Sequence, residues 1–184
     1  MTNSIIRLGS LLALGFILAG CATPAQQTAM VVDAEAVSVV NRHDGSVDIR
    51  VDGGAETDAF GTPQVSNAVM RATVEESLRN AGIFEDGVVY EDGDYQLSIA
   101  FMGMDQPLFG LTFNVEMEIA WQLHDKSGGP VWRKVIKSTG TAGFSDAAVA
   151  ATRLRIATEK AVQANISECI NELSGLTLQA SRTD

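Results

Sequence analysis

An uninterrupted alternation of apolar and polar side chains between residues 111 and 123 constrains the fold most strongly. Seven successive odd-numbered positions in this stretch are apolar: Leu111, Phe113, Val115, Met117, Ile119, Trp121 and Leu123. Neighbouring side chains of a β-strand point to opposite faces of the sheet, so the pattern predicts one long strand with a buried and a wet face. At about 3.3 Å per residue, the strand would reach about 40 Å. A sheet with one dry face needs helices on that face, which predicts an α+β two-layer sandwich with a mainly antiparallel sheet.

Shorter alternating or apolar stretches predict the other strands of a sheet of about five. They lie at residues 37–40, 47–51, 95–103 and 131–137. The pair Asp44-Gly45 is a turn signal, so we expect the first two of these strands to form a hairpin. The register of the strand at 131–137 stays open, because its apolar residues fall on both faces.

Two long helices are predicted on the dry face of the sheet. The first begins at Thr62-Pro63, which offers a capping hydroxyl before a proline, and ends near Gly82. The second runs from Asp146, with Ser145 or Asp146 as its cap, to about Leu173. Its many alanines would allow a close approach to the sheet.

Length and charge limit the class of protein. A chain of 184 residues suits one domain, which we place at residues 37–176, followed by a polar tail at 177–184. The formal net charge of −10 argues against a nucleic-acid partner, because such a partner requires a basic surface. No glycine-rich phosphate loop or other cofactor motif occurs, so no cofactor is expected.

The N-terminus has the three-part layout of a secretory signal peptide, covering residues 1–20. A polar start with one charged side chain, Arg7, precedes an apolar stretch from Leu8 to Leu18. About 11 residues are too few to cross a bilayer as a helix. The run Leu18-Ala19-Gly20-Cys21 resembles the lipobox of bacterial lipoproteins.

That resemblance implies that Cys21 is a site of lipid attachment. The thiol receives a diacylglyceryl group, the leader is cut before the cysteine, and the new amine is acylated, for example with palmitate. Two or more acyl chains hold a protein firmly at a membrane. Ala22 stands where an aspartate would retain such a protein at the inner membrane, which implies the periplasm-facing inner leaflet of the outer membrane. Residues 21–36, rich in Ala, Gln and Thr, are expected to form the acylated cysteine and a flexible tether.

Three features together resemble the small periplasmic lipoproteins of the YajG type and, more loosely, the LptE type. They are the lipobox with its tether, the helix end at 76–84 before an alternating strand, and Gly143-Phe144-Ser145 before a long Ala-rich helix. The resemblance implies a fold and a compartment. It brings no catalytic residue with it.

Residues that could carry chemistry are scattered. His43 and His124 have no neighbouring His or Cys, so no metal site is predicted. Cys169 lies in an apolar stretch and is expected to pack as a small hydrophobe. Glu116 and Glu118 alternate on the polar face of the long strand, where they either form a carboxylate pair or simply keep that face wet.

The candidate binding site is an apolar loop between two predicted strands. It contains Met102, Met104, Leu108 and Phe109. Adaptable methionines beside an aromatic ring are typical of a partner-binding patch. The alternative is that this loop folds back onto the core.

These features favour a non-enzymatic lipoprotein whose domain contacts an envelope protein or a cell-wall or lipid ligand. One alternative is an envelope hydrolase that uses carboxylates such as Glu116 or Asp146, which would require a pocket with several titratable groups. Another is an assembly subunit that forms oligomers through a sheet edge or the apolar loop.

Overall fold

The computed structural model describes residues 23–58 and 61–178. The predicted signal peptide, Cys21 and most of the predicted polar tail lie outside the described residues. A short helix α1 and a 3₁₀ turn precede four strands and two long helices. In chain order the elements are α1 (Gln27–Met30), the 3₁₀ turn (Ala34–Ala36), β1 (Val47–Asp52), α2 (Asn67–Ala81), β2 (Tyr95–Asp105), β3 (Phe113–Asp125), β4 (Pro130–Ala142) and α3 (Ala150–Ser174).

The strands form one mixed sheet in the order β1-β2-β3-β4. The last three strands pair antiparallel through hairpins, whereas β1 lies parallel to β2. Helix α2 supplies the crossover that two parallel neighbours require. The α+β class is confirmed, but the sheet has four strands, so the expectation of about five is corrected.

The predicted strand at 37–40 is absent from the sheet. This segment runs beside the end of α3, where the Asn41 N–H donates to the Ser174 carbonyl over 2.9 Å. Its hydrogen bonds go to α3, so no hairpin forms through Asp44-Gly45. The sequence signal for that hairpin was therefore wrong.

The alternation of β3 is confirmed with one correction at its start. The odd-numbered residues from Phe113 to Leu123 are buried, and β3 carries exposed polar residues such as Glu116 between them. Leu111 precedes the strand and is 75% exposed, so it does not belong to the core. In β4, Ile136 points inward, which settles the register that the sequence left open.

Helix α2 begins later than predicted. Its cap is Ser66 and not Thr62, because Val65 is buried and its carbonyl accepts the Ala55 N–H over 3.1 Å. These contacts keep the residues before Ser66 out of the helix. The end is as predicted, with Gly82 in the left-handed conformation (φ 61°) that a residue without Cβ adopts at little cost.

Helix α3 lies directly on β4 at Gly140. A Cβ at this position would overlap the backbone of Ala157 and Ala161, closer than side-chain carbons are ever found. The small residues on both surfaces therefore permit the helix to approach the sheet, as its alanine content predicted.

A buried amide locks this contact one turn further along α3. The Asn165 Oδ1 accepts the Trp121 Nε1–H over 2.8 Å, and its Nδ2 donates to the Ile136 carbonyl over 2.9 Å. Asn165 is fully buried, so both bonds are protected from water.

Residues 25–32, which we call the strap, lie on the fold and do not form a tether. Met30 and Val32 are buried between α2 and α3, and Ala25 is also buried. The predicted flexible tether over 21–36 is therefore corrected for this part. These apolar side chains gain more by packing on the two helices than by remaining in water.

Within the described residues, no helix combines the length and apolar character needed to cross a membrane.

Replacing Gly140 with alanine should destabilise the protein. The added methyl group overlaps the α3 backbone, so we expect the free energy of unfolding to fall by about 3 kcal/mol, as for an overpacked core. Urea unfolding followed by circular dichroism measures this. The matched control is Gly103→Ala in β2, where nothing lies within 4 Å of the added carbon. Equal stabilities of the two variants would contradict the close packing of α3.

Candidate functional site

The loop between β2 and β3 presents apolar side chains to solvent. Leu108 is 78% exposed and Phe109 is 87% exposed, so these residues do not fold back onto the core. Met102 and Met104 lie within β2 and not in a loop, which corrects the predicted extent of the loop. Met102 is exposed, whereas Met104 is half-buried and packs against the core. Binding of a partner by these four residues stays a prediction.

The loop between β4 and α3 extends this apolar surface. Phe144 and Val149 are exposed there, and Leu111 is exposed at the end of the β2–β3 loop. We call the set the apolar tip. It consists of Leu108, Phe109, Leu111, Phe144 and Val149. Large exposed apolar side chains gathered at one end of a domain are typical of an interaction surface.

Arg153 in the first turn of α3 holds the two loops together. Its Nη1 donates to the carbonyls of Ala147 and Ala148, both over 2.9 Å, and its Nη2 donates to the Gly110 carbonyl over 3.4 Å. Arg153 is only 4% exposed. A guanidinium has several donors in a fixed plane, which suits it to bridge carbonyls of separate segments.

The same guanidinium also contacts one aromatic ring of the β4–α3 loop and one at the start of β3. Its central carbon lies 5.2 Å from the ring centroid of Phe144 and 5.5 Å from that of Phe113. Sequence reasoning missed Arg153. The sequence did offer one signal for it: Arg153 stands beside Leu154 on the apolar face of a predicted helix. A charged side chain buried there needs hydrogen-bond partners.

Asp146 clamps the β4–α3 loop and does not cap α3. Its carboxylate accepts the Gly143 N–H over 2.8 Å and the Lys160 ammonium over 2.9 Å. The hydrogen bond from Lys160, together with that from Gly143, lowers the pKa of Asp146. A general acid needs a raised pKa, so this environment suits a structural carboxylate. Helix α3 consequently begins at Ala150, four residues later than predicted.

The two loops of the apolar tip carry almost no charge. Residues 106–112 carry no charged side chain, and residues 143–149 carry only Asp146, which pairs with Lys160. The connection between α2 and β2 lies at the opposite end. It contains Glu85, Asp86, Glu91, Asp92 and Asp94. The two loops of the apolar tip therefore carry no net charge, although exposed acidic side chains lie at both ends of the sheet: those of residues 85–94 at the far end, and Asp52, Glu56, Asp58 and Asp105 beside the tip.

The other carboxylates do not converge with Asp146. Glu116 and Glu118 lie on the open face of the sheet, beside a shallow concavity of about 400 Å³. Glu118 pairs with Lys137 over 3.0 Å. Because Asp146 bonds to α3, on the other face, the structure does not bring the two hydrolase candidates together.

Packing and hydrogen bonding account for His43 and Cys169, two of the candidate residues. His43 is buried, and its Nε2 lies 2.8 Å from the Leu173 carbonyl. Cys169 is buried among apolar residues, as predicted, and burial raises the pKa of its thiol well above the usual range. Across residues 23–58 and 61–178, no three His, Cys, Asp or Glu side chains form a group that could hold a metal ion.

The strap and the residues after it follow α3 from its first half to its end. The Gln26 N–H donates to Glu159 over 2.9 Å, and Gln163 donates to the Val31 carbonyl over 2.9 Å. Further along, Ser38 reaches Asn171 and Asn41 reaches Ser174. This segment therefore runs parallel to α3: residues nearer its N-terminal end contact turns nearer the N-terminal end of the helix.

Neither a family model nor a curated protein matches the sequence. Solved structures do share the fold. Protein XCC0632 from Xanthomonas campestris, described with the family model DUF330, has a TM-score of 0.57 at 13% identity, covering 79% of this chain and 92% of its own. The solution structure of uncharacterized lipoprotein B from Nitrosomonas europaea has a TM-score of 0.52 at 13% identity, covering 74% and 86%. Identities this low establish a common fold.

Replacing Arg153 with methionine should loosen both loops of the apolar tip. The substitution keeps the length of the side chain but removes the donors to three backbone carbonyls. We expect a loss of about 2 kcal/mol in unfolding free energy, the range for hydrogen bonds to charged groups. Hydrogen exchange should accelerate at the Gly143, Asp146 and Ala147 amides, which are hydrogen-bonded within the β4–α3 loop. The control is Arg133→Met, at an exposed position of β4. If Arg153→Met behaves like this control, Arg153 does not organise the tip.

Proposed function

We propose that the chain is an outer-membrane lipoprotein, anchored through Cys21 and facing the periplasm, whose domain is a non-enzymatic binding or envelope-assembly accessory module. The observation that carries the proposal is the exposed apolar tip, built on a rigid support around Arg153. Two exposed phenylalanines at one end add no stability to the isolated domain, so their exposure favours a role in binding.

Four further points support the envelope as the compartment. The lipobox resemblance at Leu18–Cys21 and the likeness to YajG-type lipoproteins both point to the envelope. One solved structure with the same fold is named as a lipoprotein. Ala22 after the cysteine favours the inner leaflet of the outer membrane.

The non-enzymatic part of the proposal rests on the carboxylates. Asp146 is held by Lys160 and Gly143, and Glu116 is exposed on the open face of the sheet. A hydrolase needs two such groups around one substrate. The geometry gives more support to a binding surface than to a reaction centre.

The lipid anchor is tested by comparing the two cysteines of the chain. In bacteria expressing the full chain, Cys21→Ser should abolish palmitate labelling and release a folded domain into the periplasm. Cys169→Ser is the matched control and should keep the label, because a buried thiol is closed to the acylating enzyme. Density-gradient fractions should place the labelled protein with the outer membrane. Label that persists in Cys21→Ser, or protein that fractionates with the inner membrane, would contradict the proposal.

A further inference from the structure

We infer that the apolar tip docks into the lipid surface that holds the acylated cysteine, so that the domain stands with this end on the membrane. The inference rests on the proposed anchor at Cys21 and names the partner of the tip as the bilayer itself. Its basis is the direction in which the strap leads, the contacts beside it and the apolar composition of the tip.

The strap leads the chain towards the tip. Traced backwards from Asn41 to Gln26 in the strap, the contacts of the chain with α3 move from Ser174 to Glu159, a distance of about 22 Å at 1.5 Å per residue. Arg153, at the base of the tip, lies about 9 Å beyond Glu159 on the same helix. The chain before the strap is thus directed to the end of the domain that carries the apolar tip.

The distance to the lipid attachment site is short. Ala25 is buried, and its N–H donates to the Gln64 carbonyl over 3.4 Å. Cys21 stands four residues earlier, and an extended chain covers at most about 14 Å over four residues. A lipid on Cys21 therefore holds this end of the domain next to the membrane surface.

A glutamine connects the docking point of the strap to the tip. Gln106 donates to the Pro63 carbonyl over 2.7 Å and to the Thr158 hydroxyl over 3.0 Å. Pro63 adjoins Gln64, which binds Ala25, and Gln106 is two residues before Leu108. The anchored end of the strap and the apolar tip are therefore neighbours on one surface.

The composition of the tip fits a bilayer interface. Its side chains are leucine, valine and phenylalanine, and the one carboxylate in its two loops is neutralised by Lys160. Aromatic and aliphatic side chains of interfacial segments sit about 5–10 Å into the headgroup and acyl boundary.

The test places a fluorescent reporter at each end of the lipidated protein. Phe109→Trp marks the tip, and Val40→Trp, 73% exposed beside the end of α3, is the matched control. Each protein is reconstituted into dioleoylphosphatidylcholine vesicles with or without bromine on the acyl chains. The two native tryptophans give a background that the parent protein measures. We expect several-fold quenching and a blue shift for the reporter at 109, and neither for the reporter at 40.

The outcomes separate this inference from the proposed anchor. Failure of the parent protein to float with the vesicles contradicts the lipid anchor itself. Flotation with an unquenched, water-like reporter at 109 overturns the docking of the tip while the anchor stands. A blue shift at 109 that occurs without lipid in the Cys21→Ser protein, together with a doubled mass in sedimentation, would make a second copy the partner and overturn the inference.

Discussion

The close contact of α3 with β3 and β4 is the interaction on which the rest of the structure depends. Gly140 leaves room for the helix backbone, and Asn165 ties the helix to Trp121 and to the carbonyl of Ile136. Because α3 is held rigidly, its first turn offers Arg153 a fixed position from which to bridge two loops. The same helix provides the surface along which the N-terminal strap lies. The interior, the apolar tip and the direction of the N-terminus are thus set by one helix.

This arrangement explains how a small domain can present an apolar surface without collapsing it. An isolated loop with exposed leucine and phenylalanine would fold onto the nearest apolar surface. Here the Arg153 guanidinium binds three loop carbonyls, and Asp146 accepts the Gly143 N–H while it pairs with Lys160. These bonds hold both loops in place, so their apolar side chains remain free to meet a partner. In the proposed orientation that partner is the membrane beside the anchor.

The sequence predicts the fold wherever local pattern and tertiary packing agree. The apolar–polar alternation of β3 and the end of α2 at Gly82 could both be predicted, because each of these elements buries one face and exposes the other. The hairpin at Asp44-Gly45 was misread because its first segment bonds to α3, a contact far away in sequence. The strap was misread as a tether for the same reason. Leu111 continues the alternating pattern in the sequence, but in the structure it lies in the apolar tip. The role of Arg153 depends on three carbonyls from two loops, which only the folded chain brings together.

The docking of the strap on α3 and α2 is the central claim, because it would direct the proposed lipid anchor to the end that carries the apolar tip. Hydrogen exchange of the Gln26 and Val32 amides in the lipidated protein tests it most directly. Both amides donate to side chains of the helices, over 2.9 and 3.0 Å. They should exchange at least about 100-fold more slowly than in an unstructured peptide, since bonded amides exchange only after local opening. Exchange at the rate of a free peptide would show that the strap is loose, and would contradict the account.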